Sequence, residues 1–388
     1  MPRLTLVKML SCGQGMTTLV EVYNNGDENG PADYLALIDC GGDLTWGGRE
    51  SVAYIAQKVQ QSGARLPNIV ISHQDKDHNS LLKALGQRLH PMNPVINDIF
   101  LGGMNWQPTN VTTVRQFAQA VGYNGNLAFA APMRSDYTNI PPGGGIGSVA
   151  DYGDVHLRIL ISHLNAPAQA LDIQRNASSA VIVVENEYFA VVLPGDATRQ
   201  TMTQINSIPH LGSRLPTVVG LSIPHHGALR TAVEDYHAGR PTNEFGWTVI
   251  ENFVRTIAPL RIGASAGPFN RHHHPVFEVI DKFTTVQPAP RHYFVAYLFN
   301  CHGQNTQCWR TFYLGRGAYC TVQSIDQPPI GPSRMLTHRT HGPFYYGDIV
   351  FRLSAPGVLR PEEMVEFRPR GTAGAERATE GIIHAPAP

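Results

Sequence analysis

Short apolar runs alternate with amphipathic stretches along most of the chain, and breaks rich in glycine, proline and asparagine separate them. The apolar start of the chain reads as a strand. Thr17 to Tyr23 and Tyr34 to Asp39 read as neighbouring antiparallel strands joined by the polar turn Asn24–Pro31. Ser51 to Gln61 carries Val52, Ile55, Ala56 and Val59 at helical spacing. The run Asn68-Ile69-Val70-Ile71 predicts a strand, and Ser80 to Leu89 and Thr112 to Val121 predict helices. Further on, His156 to Ile161, Ala180 to Glu185 and Tyr188 to Leu193 read as strands, the last two joined by an Asn186-Glu187 turn. Thr217 to Ile223 is another apolar run. Arg199 to Ile205 and Trp247 to Ile257 read as helices, Leu260 to Ala264 as a strand, and Pro275 to Phe283 as a helix with proline in its first turn. Pro141 to Ser148 is too glycine-rich for regular structure. Strands and helices thus alternate over two halves. That order suits a mixed α/β (α+β) chain folded as a four-layer αββα sandwich, helices outside two facing sheets.

The pattern changes near residue 286. Tyr293 to Phe299, Trp309 to Leu314 and Ile349 to Leu353 are strand-like and rich in aromatic residues. The expected organisation is a main domain over 1–285, a β-rich extension outside that core over 286–370, and a flexible tail over 371–388.

Composition narrows the class. A chain of 388 residues with 42% hydrophobic and 15% charged residues can bury a large core. No apolar run reaches membrane-spanning length, and the start lacks the pattern of a secretory leader. Five scattered cysteines do not make a disulfide scaffold, and a reducing cytoplasm is the simplest setting. A formal net charge of zero argues against a large duplex footprint held by charge alone. It leaves room for a local arginine-lined groove.

The chemistry concentrates in Ile71-Ser72-His73-Gln74-Asp75-Lys76-Asp77-His78, where a strand delivers clustered histidine and aspartate to a loop. His73 and Asp75 can hold one divalent ion, and Asp77 and His78 a second. Two adjacent cations turn water into hydroxide at neutral pH and clamp a phosphoryl group from both sides. The plainer reading makes Asp77 a cap for the following helix.

This segment resembles the His-x-[His/Asp]-x-Asp-His signature of the metallo-β-lactamase fold. With Asp in the middle it is similar to the hydrolase domain of bacterial DNA-uptake (competence, ComEC-type) proteins. Other segments match that branch in order: Gly13-Gln14-Gly15, Tyr34 to Gly42 ending in Asp-Cys-Gly, Asn176-Ala177-Ser178-Ser179, Pro194-Gly195-Asp196, Pro224-His225-His226-Gly227 and Asn270-Arg271-His272-His273-His274-Pro275. The chain departs from the branch at Ser11 and Met16, where acids are usual, and at His272-His273. His163 is the nearest candidate for the superfamily's third histidine.

The resemblance implies the four-layer fold, two divalent ions and phosphodiester hydrolysis, with nucleic acid or a nucleotide as substrate. It brings Asp196 in as the carboxylate bridging the two ions. His225 is taken as the ligand completing the second ion, because adjacent strand residues point to opposite faces. His226 then meets the substrate's phosphate or supports a ligand, although the opposite assignment is open. Asp77, His226 and His274 are the catalytic candidates, with His274 protonating a leaving oxygen. Asp39 would orient a ligand histidine through its second nitrogen. Asn176, Ser178, Ser179 and Asn270 would line or position the site. Mixed imidazole and carboxylate ligation suits zinc or manganese. Two rival functions remain: hydrolysis of a small ester, thioester or lactam, and a binding module that docks a protein partner through its C-terminal region.

Overall fold

In the computed structural model, the described residues are 2–129, 148–165, 171–228, 236–237, 240–241, 244–265, 279, 282–283, 295–303, 306–315, 318–319 and 344–373. The strands are β1 Leu4–Met9, β2 Thr17–Tyr23, β3 Tyr34–Cys40, β4 Asn68–Ile71, β5 Asp98–Leu101, β6 Leu127–Phe129, β7 Ser148–Tyr152, β8 Val155–Ile161, β9 Val181–Glu185, β10 Phe189–Leu193 and β11 Thr217–Ser222. A small hairpin, β12 Tyr236–His237 and β13 Arg240–Pro241, follows. Then come β14 Ile262–Gly263, β15 Val295–Gly303, β16 Thr306–Gly315, β17 Ala318–Tyr319, β18 Phe344–Ser354 and β19 Val365–Ala373. The helices are α1 Arg49–Gln61, α2 Leu82–Leu89, α3 Pro108–Ala120, α4 Leu171–Ala177, α5 Arg199–Asn206, α6 Leu211–Arg214 and α7 Glu244–Ile257.

Two large sheets dominate. The first runs in the order β19-β18-β1-β2-β3-β4-β5-β6 and the second β17-β16-β15-β14-β11-β10-β9-β8-β7. Each has a parallel section, β3-β4-β5-β6 in the first and β10-β11-β14-β15 in the second.

Strand alternation sorts the apolar residues into three layers of core. In β2, Leu19 and Tyr23 face α1 to α3, while Val20 and Val22 face the other sheet. In β9, Ile182 and Val184 face the first sheet, while Val181 and Val183 face α5 and α7. Both faces of each sheet are therefore covered, and the molecule is the mixed α/β four-layer sandwich expected from the pattern.

Some boundaries differ. α3 begins at Pro108, because a proline at the first helical position costs no hydrogen bond. β5 was not anticipated: its four residues, Asp98 to Leu101, are too few to show alternation. The glycine-rich segment, 141–147, and most of the expected helix over 275–283 lie outside the described residues.

Residues beyond 286 were expected outside the core, and their described strands lie within the sheets. β15 pairs with β14, and β18 pairs with β1 from Leu4↔Ser354 to Met9↔Ile349. Ile349, Phe351 and Leu353 are buried between the sheets. Phe351 fills space kept open by a residue far away in sequence: a Cβ on Gly220 would lie 2.4 Å from its ring. The strand Val365–Ala373 also runs into the expected tail, the rest of which, 374–388, lies outside the described residues.

Candidate metal centre

The chain leaves β4 at Ile71 and makes one tight turn, Lys76–His78, before α2 starts at Leu82. Asp77 lies inside that turn and caps no helix. Its carboxylate faces His226 instead, Oδ2 to Nε2 3.3 Å. The backbone of the turn presses on the end of β3. A Cβ on Gly41 would lie 2.0 Å from the Asp77 carbonyl oxygen, which accounts for glycine in the Asp-Cys-Gly segment.

Asp196 is the centre of the arrangement. It follows β10 after Gly195, whose φ is 55°, and it is almost fully buried. Its two oxygens face different imidazoles. Oδ1 lies 3.0 Å from His78 Nε2 and 4.0 Å from His226 Nε2. Oδ2 lies 3.4 Å from both His73 Nε2 and His225 Nε2. Asp77 joins the first group, and Asp75 the second, 3.9 Å from His73 Nε2. Side-chain exposures of 31% for Asp75, 30% for Asp77 and 18% for His225 put these three at the mouth, with the other imidazoles and Asp196 as the floor.

His225 and His226 depart from the alternation expected of a strand. Both have left-handed backbones, φ 44° and 53°, just past the end of β11. Both side chains therefore turn into the pocket, to opposite sides of Asp196. His226, rather than His225, is the one placed beside Asp77 and His78.

The remaining nitrogens are held from outside the pocket. Asp39 Oδ2 lies 2.8 Å from His78 Nδ1 and also accepts from the Ser72 hydroxyl, while Oδ1 accepts from the Ser72 N–H. His226 Nδ1 donates to the Ser265 carbonyl at 2.7 Å. His73 Nδ1 lies 3.2 Å from Ser72 Oγ and 3.3 Å from Ser179 Oγ, and Asn176 Nδ2 is 3.4 Å from His225 Nδ1. Such contacts set which imidazole nitrogen points inward. Ser178 is further out, accepting from Met104 N–H and donating to the Arg175 carbonyl.

His163 follows β8 with φ 60° and donates its N–H to the Ser178 carbonyl. The compact donor group Asp77, His78, Asp196 and His226 does not include it. Asn270, His272, His273 and His274 lie outside the described residues.

Ser72, Gln74 and Ser265 were not anticipated. Gln74, between His73 and Asp75, donates to the Met104 and Asn105 carbonyls and accepts from the Gln107 N–H. It ties the loop carrying His73 and Asp75 to the loop before α3.

Electrostatics follow the geometry. Burial alone would raise the Asp196 carboxyl, but His225, His78 and His73 outweigh it and hold it well below the usual range. Burial is likewise outweighed at Asp77, lowered by His226 and His78. Burial disfavours protonated His78, but Asp196 and Asp39 raise it well above an ordinary imidazole. His226 is raised by Asp77 and Asp196 against burial. At His225 burial wins and lowers it. Burial pushes the Cys12 thiol up to about 12.

The donor set fits a divalent ion. Asp77, His78, Asp196 and His226 each offer one atom within 4.8 Å of the others. His73 Nε2 is buried with no hydrogen-bond partner among the described residues, a costly state that a bound cation relieves.

No family model matches the chain, and no curated protein matches it. Among solved structures it is similar to the metallo-beta-lactamase fold protein YhfI from Bacillus subtilis, at 12% identity and a TM-score of 0.40, over 73% of this chain and 93% of that one. It is similar to a diphosphatase from the PhnP family at 12% identity and 0.34, over 81% and 98%. It is also similar to a long form RNase Z from yeast at 10% identity and 0.41, over 76% and 41%. No helix among the described residues is long and apolar enough to cross a membrane.

Proposed function

We propose that the chain is a metal-dependent hydrolase of phosphodiesters, acting on nucleic acid or a nucleotide with two divalent ions, zinc or manganese. One observation carries this reading: the two oxygens of one buried aspartate face two separate sets of imidazole and carboxylate ligands. His73, Asp75 and His225 would hold one ion, and Asp77, His78 and His226 the other, with Asp196 shared. When bound, such a pair supplies Lewis acidity toward phosphoryl oxygens and lowers the pKa of water.

The chain's own groups do the rest. Asp39 and the Ser265 carbonyl fix the tautomers of His78 and His226. Ser72 and Ser179 do the same for His73. Asp75, Asp77 and His225 form the mouth through which substrate reaches the floor. His274 is the proposed proton donor to the leaving oxygen.

The test is turnover of bis-p-nitrophenyl phosphate by the full chain with Mn²⁺ or Zn²⁺. The double change Asp77→Ala with His78→Ala is expected to abolish it. Turnover retained in that variant rejects the site.

A further inference from the structure

We infer that Asp348, on the C-terminal strand β18, is a positioning residue for the Oδ1 side of the pocket. The inference rests on the two-ion reading above.

Asp348 is buried at the edge of the β1–β18 ladder, and its Oδ1 accepts the Ser11 N–H at 2.8 Å. A carboxylate makes this a charge-assisted bond, stronger than one to a neutral acceptor. The Ser51 hydroxyl holds the other side of the same residue, donating to the Ser11 carbonyl at 2.6 Å. Ser11 opens the turn that runs through Gly13-Gln14-Gly15 to Met16. That turn meets the Oδ1 side twice. Met16 N–H donates to the Asp77 carbonyl at 2.8 Å. Gly15 carbonyl accepts from the Ser265 hydroxyl at 2.6 Å, and the Ser265 carbonyl accepts from His226 Nδ1.

One turn therefore supports both Asp77 and His226, and Asp348 anchors that turn from the far end of the chain. The contacts leave no slack. A Cβ on Gly15 would lie 2.5 Å from Gly42 backbone atoms, so a shift of the turn is transmitted rather than absorbed. Among the described residues the Oδ2 side is met by Ser72, Ser179 and Asn176, and Ser72 also lies 3.1 Å from His78 Nδ1.

The experiment measures manganese binding by the full chain together with the electron paramagnetic resonance of the bound ions. Wild type with two ions per chain and a spin-coupled signal supports the two-ion reading, and wild type without them rejects that reading on its own. Given a two-ion wild type, Asp348→Ala is expected to weaken one ion roughly 10- to 100-fold, leaving the other in place with the signal of an isolated ion. Turnover of bis-p-nitrophenyl phosphate should fall in kcat with KM unchanged. Asp348→Asn, which keeps an oxygen acceptor, should recover most of both. Ser265→Ala, which removes the link to Gly15 but keeps the backbone acceptor of His226, should weaken the same ion and serves as the readout if Asp348→Ala does not fold. The inference is overturned if both ions weaken equally, or if the foldable variants bind two ions and turn over as wild type does.

Discussion

The two sides of Asp196 carry similar imidazole and carboxylate groups but are built differently. On the Oδ2 side, His73 is steadied by its neighbour Ser72 and by Ser179, and Asn176, three residues from Ser179, reaches His225. On the Oδ1 side, Asp39, Met16, Gly15 and Ser265 take part directly or through one intermediate, and Asp348 through the Ser11 turn, while Asp39 also reaches His73 through Ser72. Support drawn from few segments survives distant change. Support drawn from the first strand, the third strand and the last strands at once depends on the whole sandwich. The difference predicts that distant substitutions act on Asp77, His78 and His226 before they act on His73 and His225.

Asp196→Ala breaks the comparison outright, since it removes the group common to both sides. Both ions should be lost together. Several kcal/mol of charge stabilisation is at stake, so turnover should fall by about 10³-fold or more. Loss of only one ion would mean that the two sides do not share this carboxylate.

Asp39→Asn and Ser179→Ala sharpen it. Asp39 is nearly buried, touches His78 at 2.8 Å and holds Ser72 by two further bonds. Its change should cost the Oδ1-side ion roughly 10- to 100-fold in affinity and the Oδ2-side ion less, because His73 feels it only through Ser72. Ser179 lies 3.3 Å from His73, a long contact shared with Ser72, and its change should cost the Oδ2-side ion less than about 10-fold. Titrating manganese into each variant separates the two. Equal losses would erase the asymmetry.

Gly220→Ala asks whether packing at β18 reaches the pocket. The added methyl meets Phe351, which sits between the sheets, and should destabilise the fold by about 1–3 kcal/mol in urea denaturation. If β18 supports the Oδ1 side, that ion's affinity should fall in the same variant while the other is kept. Lower stability with unchanged metal affinity would confine the role of β18 to packing.

Much of this was legible in the sequence for a physical reason. His73, Asp75, Asp77 and His78 crowd one strand end, so a single segment exposes the chemistry. Apolar alternation also revealed both sheets of the sandwich. The sides taken by His225 and His226 were not legible. Strand periodicity sends adjacent side chains apart, and nothing in Pro-His-His-Gly announces two left-handed residues in succession. The Ser11 turn acts through backbone carbonyls and N–H groups, as Ser265 does toward His226, and these carry no residue signature. β18 looked peripheral because its partners, Leu4–Met9 and Gly220, are distant in the chain, and pairing across such separation leaves no local pattern.

The last expected effect is on pH, and it distinguishes the sides by charge. His78 and His226 are raised above the ordinary imidazole value, and His225 is lowered. A raised imidazole holds its proton to higher pH, and a metal ion must displace that proton to bind. Below the raised pKa each displaced proton weakens metal binding about tenfold per pH unit, or about 1.4 kcal/mol. A lowered imidazole is already neutral and carries no such penalty until lower pH. At limiting manganese, lowering the pH from 8 to 6 should therefore release the ion beside His78 and His226 first. The same shifts act on stability with chelator present. The two raised histidines favour the folded state fully below their unfolded pKa, near 6.5. That contribution is lost as pH rises through their folded values. Thermal melts of the chelated chain should then show Tm falling as pH rises from 6 through those values, and melts with saturating manganese should not show that fall. Release of both ions at one pH, or the reverse order, would show that the proton affinities of the two sides do not differ as their carboxylate contacts require.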